Sequence, residues 1–311
     1  MNMGSKLAGL ITLLIFFALL LPAIAPAEPL TVEQAAPGVY VHHGVHLDIN
    51  VGYGGDICNI GFIVGNKGVA VIDSGGSPRV GAQLREAIRK VTDLPILYVI
   101  NTHVHPDHIF GNAAFKADRP TFIGHEKLAA AMTQRKDAYL RNQPGWVGAD
   151  ASGSELIPPA LPITETRTID LGGRSLQLTA YPAAHSNSDL TVFDSATATL
   201  WTGDLLFVER TPSIDGDLKG WLRVIAQLRS IPAARAIPGH GPVTANWHAA
   251  LDNESRYLST LLEDVRAAIK QGQSMEQTID GATLSEQGKW ALFDIVNKRN
   301  ISLIFPVLEW E

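Results

Sequence analysis

Cysteine is almost absent from this chain: Cys58 stands alone among 311 residues, which excludes an internal disulfide. A domain of this length buries enough apolar surface to fold without one. Cys58 lies in Asp56-Ile57-Cys58-Asn59-Ile60-Gly61-Phe62, an apolar strand pattern, and reads as a small buried hydrophobe rather than a metal ligand. Basic excess is also missing. Lys and Arg number 25 against 31 Asp and Glu, giving a net charge of −6, and this leaves no footprint for nucleic acid. The Trp and Phe residues form no RNA-binding pattern, and there is no internal repeat. No Gly-x-Gly-x-x-Gly and no Walker loop occurs, so nucleotide binding has no support. What remains, 46% hydrophobic and 18% charged, is ordinary globular composition.

The one long apolar run is N-terminal. Lys6 precedes Leu7 to Ala25, and Ala25-Pro26-Ala27 supplies small residues at a cut before Glu28. A basic residue, an apolar core and a small-x-small site form a secretory signal, so residues 1–27 are expected to be a signal peptide. The alternative is an uncleaved anchor, since the run is about long enough to span a bilayer. Cleavage predicts a periplasmic or secreted protein without stable membrane insertion, and no Cys near the cut offers a lipid attachment point.

Strand-like runs fill the next hundred residues: Gly38 to Val41, Ile57 to Val64, Gly68 to Ile72 and Ile96 to Ile100. Pro78 to Val91 carries apolar residues at Val80, Leu84, Ala87, Ile88 and Val91, a helical spacing opened by Pro. A second helix is expected over Glu126 to Arg141, and Pro144 to Pro162 reads as a long loop. Strands resume at Arg174 to Ala180, Leu190 to Phe193 and Thr199 to Thr202, then a helix over Leu218 to Leu228 and a short strand at Ala236-Ile237. The tail suggests helices at Leu251 to Ile269 and Trp290 to Lys298. Helices alternate with strands that are often hairpin-connected, which predicts a mixed α/β sandwich rather than a doubly wound sheet.

The chemistry concentrates at residues 103–108, His-Val-His-Pro-Asp-His, directly after the strand Ile96 to Ile100. Imidazole nitrogens with some carboxylate oxygen suit a borderline cation such as zinc. Three further candidate ligands follow strand ends: His185 after Leu176 to Tyr181, Asp204 after Thr199 to Trp201, and His240 after Ala236-Ile237. Strand ends along one rim of a sandwich can converge on one site.

These residues resemble the metallo-β-lactamase superfamily, with His-x-His-x-Asp-His complete and its later His, Asp and His in order up to about His248. The resemblance implies a four-layer αβ/βα sandwich, with residues 28–248 as the catalytic domain and residues 249–311 as a helical C-terminal extension packed on it. It also implies two Zn2+ per chain, with iron or manganese as other occupants. His103, His105 and His185 correspond to the ligands of the first metal. Asp107, His108 and His240 correspond to those of the second, with Asp204 bridging. Asp73, after Val71-Ile72, corresponds to a hydrogen-bonding partner of a ligand histidine; Asp189 reads either as another such partner or as a surface turn. Thr102 and Thr202 are placed to cap the ligand loops. His42, His43 and His46 flank an expected hairpin, Gly44 to Gly55, and read either as substrate contacts or as exposed strand ends. His125 and His248 read as capping or surface residues, and Asn59 as either a core hydrogen-bonding group or a pocket group.

The implied reaction is hydrolysis of an ester, thioester, lactone or amide of a small-molecule substrate by a hydroxide held between the cations, with Asp107 as the catalytic carboxylate that orients it or moves its proton. Asp at position 204 resembles the glyoxalase II kind of hydrolase more than dedicated β-lactamases, which carry Cys or Ser there; export counts against a cytosolic glutathione thioester. Thr102 to Phe115, Gly38 to His46 and Leu308 to Glu311 further resemble the exported zinc metallohydrolases of the quinoprotein relay system group, implying a link to a periplasmic quinoprotein dehydrogenase. Alternatives are β-lactamase activity, an iron-dependent oxidoreductase like the persulfide dioxygenases, and a non-catalytic accessory protein.

Overall fold

The computed structural model describes residues 27–311; the expected signal peptide, residues 1–27, lies outside the described residues but for Ala27. Two sheets carry the fold. The first holds seven strands in the order β1 (Glu33–Ala36), β2 (Val39–His42), β3 (Ile60–Val64), β4 (Val69–Ile72), β5 (Ile96–Ile100), β6 (Thr121–His125) and β7 (Leu161–Ile163). Hairpin neighbours β1 to β4 pair antiparallel, whereas β4 to β7 pair parallel through crossovers. Those crossovers carry α1 (Pro78–Val91), the short α2 (Pro106–Ile109) with a 3-10 helix over Phe110–Asp118, and α3 (Leu128–Val147). The second sheet runs β12 (Arg235–His240), β11 (Thr199–Phe207), β10 (Leu190–Asp194), β9 (Ser175–Ala180) and β8 (Thr166–Asp170), antiparallel except for β11 against β12. Around it lie α4 (Leu218–Leu228), α5 (Trp247–Lys270), α6 (Met275–Gly281) and α7 (Phe293–Leu308). This is the expected α/β sandwich.

Side-chain alternation along the strands builds the layers. On β4, Val69 and Val71 pack with Val80, Leu84 and Ile88 of α1, while Ala70 and Ile72 face the other sheet. There they meet Leu176, Leu178, Leu190, Val192, Trp201 and Ile237, all buried. The second sheet's outer face packs on Trp221 and Val224 of α4, Tyr257 and Leu261 of α5, and Ile301 and Phe305 of α7. Among the described residues, no helix is long and apolar enough to cross a membrane.

Several boundaries differ from expectation, each for a tertiary reason. The Glu126 to Arg141 helix is α3, which begins at Leu128 and runs through Pro144 to Val147, so the expected Pro144 to Pro162 loop is shorter. Its last turn is held by the Gln143 amide donating to Gly76 O (2.7 Å) and by Val147 packed with Tyr53 and Ile57. Gly44 to Gly55 is no hairpin: the segment folds as a loop with a 3-10 turn at Ile49–Val51, capped by Asp48 accepting from Asn50 N. Asp, Asn and repeated Gly favour turns over ladder pairing. The expected tail helix at Trp290 to Lys298 is α7, which starts at Phe293 and runs on to Leu308. α6 is not expected because its seven residues carry little periodicity, although Ser274 and Gln277 form a capping box at its start.

One close approach is testable. The 3-10 helix after α2 lies against α1 at Gly81 and Gly111, and a Cβ on Gly111 would be driven into the Ser74 carbonyl. Gly111→Ala is expected to cost about 1–3 kcal/mol by overpacking. Denaturant unfolding reads this; an unchanged midpoint would contradict the contact.

Candidate metal centre

The candidate ligands lie on the same rim, all at or just after strand ends except Asp204, which sits inside β11 because that strand runs on to Phe207 rather than ending at Thr202. After β5, Val104 is fully buried with Ile109, Leu128 and Met132, and the flanking His103 and His105 enter the centre. Pro106 starts α2, whose single turn carries Asp107 and His108 inward. His185 lies in the turn after β9, Asp204 within β11, and His240 ends β12. Gly239 lets the backbone pass the Asp204 carboxylate, which any Cβ would strike.

All seven side chains converge. His103 Nε2 and His185 Nε2 lie 3.0 and 2.9 Å from His105 Nδ1, and 3.6 and 3.3 Å from Asp204 Oδ2. In an adjoining set, His108 Nε2 and His240 Nε2 each lie 3.5 Å from Asp107 Oδ2. Asp204 reaches this set too, its Oδ1 3.2 Å from His108 Nε2 and its Oδ2 3.3 Å from His240 Nε2. One group is therefore His103, His105, His185 and Asp204, and the other is His108, Asp204 and His240 with Asp107 beside it.

The outer nitrogens explain why the inner ones are donors. His105 Nε2 faces Asp215 Oδ2 (2.9 Å), His185 Nδ1 faces Ser213 O (2.7 Å), His108 Nδ1 faces Asp73 Oδ2 (2.8 Å) and His240 Nδ1 faces Ile57 O (2.6 Å). His103 Nδ1 faces Thr102 Oγ1 (3.0 Å), which in turn donates to Asp73 Oδ2 (2.7 Å). Acceptors on the outside keep the ring protons there and turn the lone pairs inward, as a cation requires. The buried His108 Nε2 and Asp204 Oδ1 have no hydrogen-bond partner among the described residues. Inward lone pairs about 3 Å apart with orphaned buried atoms fit divalent cations and little else.

The charges agree. Burial pushes the His185 imidazole down to about 3, only partly opposed by Asp204, which leaves it neutral and ready to coordinate. Burial alone would raise Asp204, but His240, His108, His103 and His185 hold its carboxyl well below the usual range. Behind the centre, Glu254 is fully buried; its Oε1 accepts from Phe207 N (2.9 Å) and its Oε2 has no partner among the described residues. Burial pushes this acid well above its ordinary 4.5, so the fold keeps its proton. A raised acid contributes stability below the unfolded value and loses it as pH rises through the folded one. The wild-type Tm should therefore fall relative to Glu254→Gln from pH 4.5 upward; parallel Tm curves would refute this.

Cys58, Asn59 and His125 take places expected of them, whereas Asp189 and Thr202 do not. Asp189 bonds to no ligand histidine; both its oxygens accept from Ser186, from N at 2.9 Å and Oγ at 2.7 Å, and so it shapes the turn that carries His185. Thr202 Oγ1 donates to Gly203 O and Ile237 O. Asn59 is a core clamp, accepting from Gly44 N and donating to Pro238 O and Gly241 O. Cys58 is buried, its Sγ donates to Asp107 O (2.8 Å) and lies close to the Asp107 and His108 ligand atoms, and burial holds the thiol well above its usual range. His42 pairs with Asp56 and His43 with Glu33, away from the ligands. His125 accepts from Lys127 N, and His248 reaches Arg229 O. Asp215, Ser213, Arg210 and Arg299 were not legible in the sequence. Their roles come from chain segments that meet only in space: Asp215 stands behind His105, and Ser213, Arg210 and Arg299 line a cavity of about 140 Å³ together with Ile49, Ile57, Asp107, His240 and Phe207.

The family model of the metallo-beta-lactamase superfamily matches residues 53–240. A linear primary-alkylsulfatase of Pseudomonas sp. (strain ATCC 19151) is 33% identical over 67 residues, 22% of this chain and only 13% of that enzyme's length. The metallo-beta-lactamase from Pontibacter korlensis superposes with a TM-score of 0.58 at 19% identity, over 74% of this chain and 99% of its own. The stereoselective inverting sec-alkylsulfatase Pisa1 from Pseudomonas sp. gives a TM-score of 0.68 at 16% identity, over 89% of this chain, which spans about half (50%) of that protein. At such identities the structural likeness concerns the fold.

Proposed function

Because this chain belongs to the metallo-beta-lactamase superfamily, whose family model covers residues 53–240, we propose that it is an exported hydrolase holding two divalent cations, zinc in the first place. It would cleave an ester, thioester, lactone or amide. The observation that carries this reading is the pair of adjoining donor sets sharing Asp204, each imidazole oriented by an acceptor behind it. His103, His105 and His185 would hold one cation, Asp107, His108 and His240 the other, and Asp204 both. When bound, such a pair supplies acidified water near neutral pH and Lewis acidity toward a substrate oxygen. Asp107 lines the cavity and is placed to orient that water and take its proton at Oδ2. Asp73, Thr102, Asp215 and Ser213 hold the rings.

Export rests on residues 1–27, and service to a periplasmic quinoprotein dehydrogenase rests on the resemblance of Thr102 to Phe115, Gly38 to His46 and Leu308 to Glu311. N-terminal sequencing of the periplasmic protein should begin at Glu28. The deciding experiment is a hydrolysis screen of thioesters, lactones, β-lactams and alkyl sulfates with the zinc-loaded protein, alongside metal analysis after native purification. Ester, thioester, lactone or amide turnover that stops on chelation and returns with zinc is expected. Rapid turnover of a cephalosporin would overturn the preference drawn from Asp204; one iron per chain with oxygen uptake would sink the hydrolase. Sulfate-ester cleavage is the second reading. The likeness to Pisa1 takes in 89% of this chain, against 74% for the lactamase.

A further inference from the structure

Arg210 has no place in the metal centre and yet borders it. Its side chain is only 7% exposed, lines the cavity over the ligands, and forms no ion pair among the described residues. Nη1 lies 3.1 Å from His240 Nδ1, but that ring N–H is given to Ile57 O at 2.6 Å, so the imidazole offers the guanidinium no acceptor. The buried Nε has no partner among the described residues. Of the neighbouring carboxylates, Asp48 is committed to Arg299 (2.7 Å) and to Asn50 N, while Asp107 and Asp204 face the metal centre. The backbone around Arg210 is fixed, with its N–H given to Val208 O and a bridge to Ala291. A buried guanidinium costs several kcal/mol unless paired, and its planar fork matches an oxygen anion.

We propose that Arg210, flanked by Arg299 on the same cavity wall, binds an anionic oxygen group of the substrate beside the Asp107, His108 and His240 half of the centre. The group is either a carboxylate set apart from the scissile bond or the sulfate of a sulfate ester. This rests on the hydrolytic reading for its purpose, though not for its binding test.

Calorimetric titration of the zinc-loaded protein with benzoate and with methyl sulfate, against benzyl alcohol as neutral control, reads the site directly. Arg210→Met should weaken binding of at least one anion by about 10–100-fold, the value of one charge-assisted hydrogen bond, and Arg210→Lys should restore part of it. The ligand-free Tm of Arg210→Met should equal or exceed wild type, because an uncompensated buried charge is removed. In turnover, the ratio of kcat/KM for 3-carboxyphenyl butyrate over phenyl butyrate should fall toward one in Arg210→Met if the anion is a remote carboxylate. Loss confined to phenyl sulfate turnover identifies the sulfate instead. Anion binding equal in wild type and Arg210→Met, or a lower Tm with binding retained, would overturn the proposal. If no ester or sulfate is turned over while Arg210 still governs anion binding, the hydrolytic reading fails and the anion site stands.

Discussion

Replacing Asp204 by Ala is expected to lower kcat/KM by at least about 10³-fold, the loss of several kcal/mol of metal-borne stabilisation. It should also reduce bound metal from two ions per chain to at most one. The reason is geometric. Asp204 is the side chain that reaches both donor sets, with Oδ2 3.6 Å from His103, 3.3 Å from His185 and 3.3 Å from His240, and Oδ1 3.2 Å from His108. Each set keeps three other donors, so one cation can persist weakly, but among the described residues no other ligand is shared between them. Asp204→Asn controls for shape: its neutral amide fills the same volume and leaves the surrounding imidazoles without their anion. Metal analysis on protein of unchanged circular dichroism separates ligand loss from unfolding. Two ions per chain with more than a tenth of the activity, in either variant, would refute Asp204 as the shared ligand.

The ligands were legible in the sequence because each one lies close to the end of an apolar run, and the sandwich brings those segments to one rim, although β11 continues past Asp204 to Phe207 and β12 reaches His240. His103, Asp107 and His108 come from one short segment after β5, where the period of apolar residues changes abruptly. Asp204 and His240 stand beside glycines: Gly203 sits at a register shift inside β11, and Gly241 has φ 98° just past β12. The alternation of β4 and the spacing of α1 likewise fixed which faces are buried. Other features lie beyond local pattern. Asp215 orients His105 from 110 positions away, and Arg210 gains meaning only when β11, β12 and the Asp48 loop meet. α3 and α7 run through Pro144 and Pro306, where packing at Val147 and at Ile304, Phe305 and Leu308 outweighs the missing N–H. Asp189 resembled a ligand partner because it follows His185 closely, yet the turn it closes directs its carboxylate to Ser186.

A large effect for a residue that touches no cation is expected at Asp73. Its Oδ1 accepts from Thr102 N at 2.8 Å, and its Oδ2 accepts from Thr102 Oγ1 at 2.7 Å and from His108 Nδ1 at 2.8 Å. Through Thr102 Oγ1, which lies 3.0 Å from His103 Nδ1, one carboxylate orients a histidine in each donor set. In Asp73→Asn an NH2 must replace one oxygen, so a donor faces a donor whichever way the amide sits. With the NH2 at the Oδ2 position, His108 escapes by moving its proton to Nε2, which removes the inward lone pair; with it at the Oδ1 position, the Thr102 N–H loses its acceptor and the loop carrying His103 loosens. Loss of such a partner typically weakens metal binding by about 10–100-fold. Asp73 adopts φ 53°, a left-handed conformation that Asn tolerates, so this variant isolates the hydrogen bonds from backbone strain. Asp73→Ala should show the same affinity loss with an additional fall in stability of about 1–2 kcal/mol. Zinc titration against a competing chelator measures the affinity, and activity at saturating zinc separates orientation from ligation. Excess zinc should restore most activity to Asp73→Asn and little to Asp204→Ala. Unaltered zinc affinity in Asp73→Asn would show that the rings hold their tautomers without it.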